Sequence, residues 1–148
     1  MKYIQVLIIL LTAIIACSSC NNNNYERLCD ENRYVQAYNV VYHYKKEADR
    51  TKKKSERAFT FVGLSSVESA EKRYEEVKCY VVLHECTHIL DVQGIEGLPR
   101  IASIVVQYDA PSVYESLIKI AYTLGDDELV THLKNMSINY SEFPIVSK

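Results

Sequence analysis

Residues Ser66 to Val92 carry apolar side chains at three- and four-residue steps, and this run limits the fold more than any other feature. Val67, Ala70, Tyr74, Val77 and Val81 form one stripe, with Leu83 and Leu90 on a flanking strip beside Tyr80. That spacing is the period of an amphipathic helix. Ser65 or Ser66 can cap it, and Gly94 and Gly97 stop it. A helix of this length spans about 40 Å, and its stripe needs other helices to cover it. Turn-forming residues are scarce: the 148-residue chain has 4 Gly and 3 Pro. A β-sandwich or barrel needs many turns and is disfavoured. The chain is 48% hydrophobic and 24% charged, the balance of a folded domain.

The flanking segments also read as helical. Asp30 to Arg50 has Tyr34, Tyr38, Val41 and Tyr42 at helical spacing, with Asp30 as cap. The cations Lys45, Lys46, Arg50 and Lys52–Lys54 near its end suit the helix dipole. They read either as a solvated helix end or as a contact for anionic lipid or another acidic surface. Ala58–Gly63 reads as a loop or a short extended segment. Pro99 opens a further helix through Ile101, Ile104, Val105 and Tyr108, although its β-branched content also allows a strand. Asp109-Ala110-Pro111 is a turn. Val113–Leu124 and Asp127–Met136 form an αα-hairpin, with Gly125 as stop and Asp126 or Asp127 as cap. Ser137–Lys148 reads as a tail. The expectation is an all-α bundle of about five helices over residues 30–148, with Val77, Val81, Ile89 and Leu117 buried and Lys78 outside.

The N-terminus has a different character. Lys2 is followed by an apolar run from Ile4 to Ile15, broken by Gln5 and Thr12. Twelve helical residues are too short to span a hydrocarbon core of about 30 Å comfortably. The run ends in Ile14-Ile15-Ala16-Cys17. This resembles the lipobox of bacterial lipoproteins; the competing reading is an ordinary cleaved signal peptide. The resemblance implies a signal peptide over residues 1–16 and cleavage before Cys17. It also implies lipidation of Cys17 on its sulfur and new amine, palmitate being a typical chain. Ser18, Ser19, Cys20 and Asn21–Asn24 follow, so residues 17–29 are expected to be a flexible tether. Ser18 in the second mature position implies, by the same resemblance, an outer membrane in a two-membrane cell. The implied address is a cell or outer membrane, with the domain facing the periplasm or exterior.

Export makes disulfides possible. Cys79 and Cys86 lie on one helix about 10 Å apart, too far to bridge. Cys29 with Cys79 or Cys86 is the sensible pairing, and buried free thiols are the alternative.

His84-Glu85-Cys86-Thr87-His88 fits H-E-x-x-H. On a helix the two imidazoles share a face and can share one zinc ion. Glu85, about 100° round, can act as general base on metal-bound water. The element is similar to that of zinc peptidases. A third ligand must come from elsewhere: Glu115 is the best candidate, with His132 and Glu96 behind it. Asp91 is too far along the axis. The competing reading is two histidines hydrogen-bonded in a helical core. His43 reads as a packing or surface residue.

Gly97-Leu98, the Ala110-Pro111 turn, Glu115 and Leu117 on the next helix, and Gly125 at its end also form a pattern. From Leu83 to about Leu133 the chain resembles a helical bacterial domain of unknown function found in DNA-mimic-protein-like proteins. The resemblance implies an all-α fold. DNA mimicry does not follow, because it needs a strongly acidic face and the net charge is only −2. Near-neutrality also excludes a chain-wide basic footprint, so no nucleic-acid partner is expected.

The leading expectation is a lipid-anchored envelope protein with a non-catalytic interaction or structural domain. It needs no cofactor and leaves room for a protein partner. The alternative is a small zinc metallopeptidase using His84, Glu85, His88 and Glu115. With 12 Tyr in the chain, exposed tyrosines gathered on one face would mark a contact surface.

Overall fold

The computed structural model describes residues 3–5, 24–58 and 61–142. The described residues are 93% helical and contain no strand. The fold is therefore all-α, as the turn scarcity and helical periodicity predicted. Six α-helices follow in order: α1 (Asn24–Asp30), α2 (Tyr34–Ala58), α3 (Phe61–Gln93), α4 (Leu98–Tyr108), α5 (Ser112–Leu124) and α6 (Asp127–Glu142). A 3-10 turn, Gly94–Gly97, joins α3 to α4. The chain divides into two units, residues 22–81 and residues 82–148 with 1–21. The long helix α3 gives its first part to one unit and its last part to the other.

Several boundaries differ from the sequence expectation. Residues 24–29, expected in the tether, form most of α1, because Leu28 and Cys29 are buried in the core of the first unit. The next helix begins at Tyr34, not Asp30. Asn32 adopts a left-handed conformation, φ 56°, and ends α1. The Arg33 amide donates to Leu28 O and the Asn32 amide to Cys29 O, a Schellman stop. The same pair of bonds recurs at Asp109, φ 48°, and at Gly125, φ 70°. The α2 helix continues past Arg50 because Ala48, Thr51 and Ser55 extend its inward face. Ala58 ends one helix and Phe61 begins another, so residues 58 and 61–63 of the expected loop are helical, and residues 59 and 60 lie outside the described residues. The segment after Pro99 is helical, with Pro in its first turn. The last helix runs to Glu142 because Tyr140 holds its end. The Tyr140 hydroxyl donates to Asp109 Oδ1 at 2.7 Å, and its ring packs edge-on to Tyr114 at 6.3 Å.

The first unit buries Leu28, Cys29, Ala37, Val41, Val77 and Val81, ringed by half-buried tyrosines. Tyr25 and Tyr80 meet edge to face at 5.3 Å. Burial pushes the Tyr25 hydroxyl up to about 12 and that of Tyr80 higher still. These tyrosines close the edge of the core with their rings. Lys78, expected outside, is 4% exposed. Its stem is buried while its ammonium meets the half-exposed Glu75 at 2.7 Å and lies 5.3 Å from the centre of the Tyr74 ring.

In the second unit α5 and α6 form the expected hairpin. Ile89 and Leu117 are buried with Ile101, Ile120, Leu129 and Leu133. Asp126 caps α6 by accepting the Leu129 amide at 3.0 Å.

Candidate functional site

The H-E-x-x-H segment lies in the second unit, in the part of α3 that is most deeply covered. Cys86 and Thr87 are fully buried, His84 is 3% and Glu85 8% exposed, and His88 is half-buried. The Thr87 hydroxyl donates back to the His84 carbonyl at 2.8 Å. The outer guanidinium of Arg100, on α4, donates to Glu85 Oε1 at 3.4 Å. Burial raises the Cys86 thiol far above its usual range, and the Glu85 charge adds to this. Burial and the same charge raise the Tyr108 hydroxyl. Among the described residues no buried side-chain nitrogen or oxygen lacks a hydrogen-bond partner.

The fold thus brings Arg100 to Glu85, which lies on the same helix as His84 and His88. Glu115 is exposed on α5, and His132 and Glu96 are exposed on α6 and in the 3-10 turn. Among the described residues no three of His, Cys, Asp or Glu group closely enough to hold a metal ion. Zinc needs at least three protein ligands, and among the described residues Glu115 does not group with His84 and His88. Glu85, the expected base, meets the Arg100 guanidinium. Arg100 was missed from sequence because an ion pair across a turn leaves no periodic signal.

Asp91 has a different role from any considered above. Its carboxylate accepts the backbone amides of Tyr3 and Ile4, at 3.0 and 3.1 Å. The Tyr3 hydroxyl donates to Asp126 Oδ2 at 2.8 Å. Cys17 and Cys20, with most of the expected signal peptide, lie outside the described residues. Among the described residues Cys29, Cys79 and Cys86 form no disulfide with one another; Cys79 is half-buried and the others are buried.

The first unit has an open groove of about 450 Å³ between α2 and α3, lined by Tyr44, Glu47, Thr51, Ser66, Ser69 and Arg73. The Arg73 guanidinium already lies 5.1 Å from the Tyr44 ring centre. Two of the twelve tyrosines are exposed, Tyr42 and Tyr122, and they belong to different units. Each carries a lysine ammonium over its ring, Lys46 at 4.7 Å and Lys134 at 5.0 Å. The tyrosines therefore form no single exposed face. No family model matches the chain. No curated protein and no solved structure matches it.

Proposed function

We propose that the chain is a lipid-anchored cell-envelope protein whose helical domain acts by contact, without a reaction of its own. One observation carries this reading: Ile14-Ile15-Ala16-Cys17 closes a short apolar run and is followed by Ser18, Ser19 and an Asn-rich stretch. In this reading Cys17 becomes the lipidated first residue, and several acyl chains give durable attachment where one would be marginal. Among the described residues no helix is long and apolar enough to cross a membrane, and attachment is assigned to Cys17. The non-catalytic half of the proposal is supported by the use made of the H-E-x-x-H side chains. Glu85 is tied to Arg100, Cys86 is a buried, high-pKa thiol, and His84 is almost wholly buried.

The test is Cys17→Ala compared with the wild type in fractionated cells, together with the mass of the mature N-terminus. Wild type should be membrane-bound with an acylated cysteine, and the variant should lose the modification. A soluble, unmodified wild type overturns the anchor. Stoichiometric zinc in the purified protein, with peptidase activity lost in Glu85→Gln, overturns the non-catalytic half.

A further inference from the structure

The inward face of α2 is fixed by Ala37, Val41 and Ala48, all buried. At about 100° per residue, the opposite arc of the helix holds Val35, Gln36, Asn39, Tyr42, His43, Lys46, Arg50, Lys53 and Lys54. Every one of these is exposed. The arc covers about a third of the helix circumference and contains no carboxylate. Glu47, Asp49 and Glu56 fall at or beyond its margins, and Lys52, on the flank, pairs with Glu71 at 3.9 Å. The arc is graded along its length: Val35, 80% exposed, and Tyr42, 54% exposed, come first, and the four cations follow. Residues 45–54 carry six cations and two carboxylates, in a chain whose net charge is −2. Four of those six cations, Lys46, Arg50, Lys53 and Lys54, lie on the outward arc.

We propose that this outward face of α2 docks on the headgroups of anionic phospholipid. The proposal rests on the Cys17 anchor for proximity. From Cys17 to the start of α1 at Asn24 is seven residue steps, at most about 25 Å of chain. The anchor therefore holds the first unit within about one helix length of a bilayer. At that distance a cationic face comes within a Debye length, about 8 Å at physiological salt, without leaving the surface. The chemistry fits a bilayer headgroup region. Lys46, Arg50, Lys53 and Lys54 meet phosphates, the Tyr42 ring suits the interface between headgroup and acyl chain, and Val35 adds apolar area. Each cation brought to an anionic surface strengthens attachment roughly fivefold. Removing two should lower the ratio of docked to free protein roughly 25-fold, and reversing their charge should lower it further.

The chain contains no Trp, so Tyr42→Trp places a single fluorophore on this face. The full lipidated protein carrying Tyr42→Trp is reconstituted into vesicles of phosphatidylcholine, or of phosphatidylcholine with roughly a third phosphatidylglycerol, each also prepared with brominated acyl chains. The expected result is blue-shifted, bromine-quenched emission with phosphatidylglycerol only. It should be reversed at about 0.5 M salt, where the Debye length falls to a few ångströms, and lost in Arg50→Glu/Lys53→Glu. Equal emission in both vesicle types, with the protein still attached to each, overturns the docking face and leaves the anchor standing. Protein that fails to stay on phosphatidylcholine vesicles overturns the anchor, and its phosphatidylglycerol-dependent quenching still decides the face. Binding to heparin with no response to phosphatidylglycerol overturns the lipid assignment in favour of another polyanion. If the double reversal does not fold, the vesicle contrast and the salt reversal decide the matter.

Discussion

Gly97→Ala should destabilise the protein although nothing in the backbone opposes it. Gly97 has φ −75° and ψ −11°, a conformation open to any residue. On backbone grounds alone, Ala would stabilise by about 0.4–1 kcal/mol, because it restricts the unfolded chain. Packing opposes this. A Cβ at residue 97 would overlap Ile89 Cγ2 and come within 3.3 Å of Gln93 Cβ. Ile89 is 2% exposed and cannot swing into solvent. Overpacking of this kind costs about 1–3 kcal/mol, so the net loss is about 1–2 kcal/mol, or about 4 °C in Tm for a chain of this size. Ile89→Ala removes the clashing carbon and by itself costs about 2–5 kcal/mol. In that background the new methyl group partly refills the cavity, and Gly97→Ala should become neutral or stabilising. Denaturant unfolding followed by far-UV circular dichroism across the four proteins gives the cycle. A coupling of about 1 kcal/mol or more is expected. A stabilised Gly97→Ala, or strictly additive losses, would refute the close approach of the 3-10 turn to α3.

Other consequences can be checked separately. Buried Cys86 should resist iodoacetamide in the native protein and react only after denaturation, whereas half-buried Cys79 should react earlier; peptide mapping that finds native Cys86 alkylated at a free-thiol rate would contradict its burial. Tyr25, Tyr114 and Tyr140 hold their protons up to about 12 in the folded chain, chiefly through burial, while the unfolded chain releases tyrosyl protons near 10. Their contribution should be intact below about pH 10 and lost progressively towards about pH 12, and unfolding curves flat across that window would count against it. Asp126→Ala removes the cap of α6 and should cost about 1 kcal/mol, seen as faster amide exchange at Leu129 and Val130. Asp126→Asn should retain most of that protection.

The long helix and the terminal hairpin were legible because their signals are local. Val77, Val81 and Ile89 repeat at helical spacing, and Gly125 marks a stop that glycine makes easily. The other two left-handed stops use Asn32 and Asp109. Asp109 fell in a recognised turn. Asn32 stands among charged residues and carries no glycine signal, so Asp30 reads as the cap and the predicted helix begins four residues before Tyr34. The end of α6 was missed because it depends on Tyr140 reaching Asp109, 31 residues back. Lys78 was misplaced because helical periodicity counts a lysine as polar, whereas its buried stem behaves as a hydrocarbon. At the candidate site, the i, i+4 spacing of the histidines is visible in sequence, and a helical core around them is one of the two readings it allows. Their use did not follow: the absence of a grouped third donor among the described residues and the presence of Arg100 depend on how the Gly94–Gly97 turn brings α4 back.

The bonds from Tyr3 and Ile4 to Asp91, and from Tyr3 to Asp126, join the chain's beginning to helices some 90 and 120 residues away. If the chain is cut before Cys17, every one of these donors leaves with the leader, and both acceptors remain behind. Precursor and product are then distinct thermodynamic species that share one domain sequence. Such a cut would be irreversible, and a product refolded in the test tube would not regain the precursor's bonds. A melting curve recorded on uncut protein reports a ledger that the processed molecule no longer has, and the two carboxylates become the place to read, residue by residue, which species is in the tube.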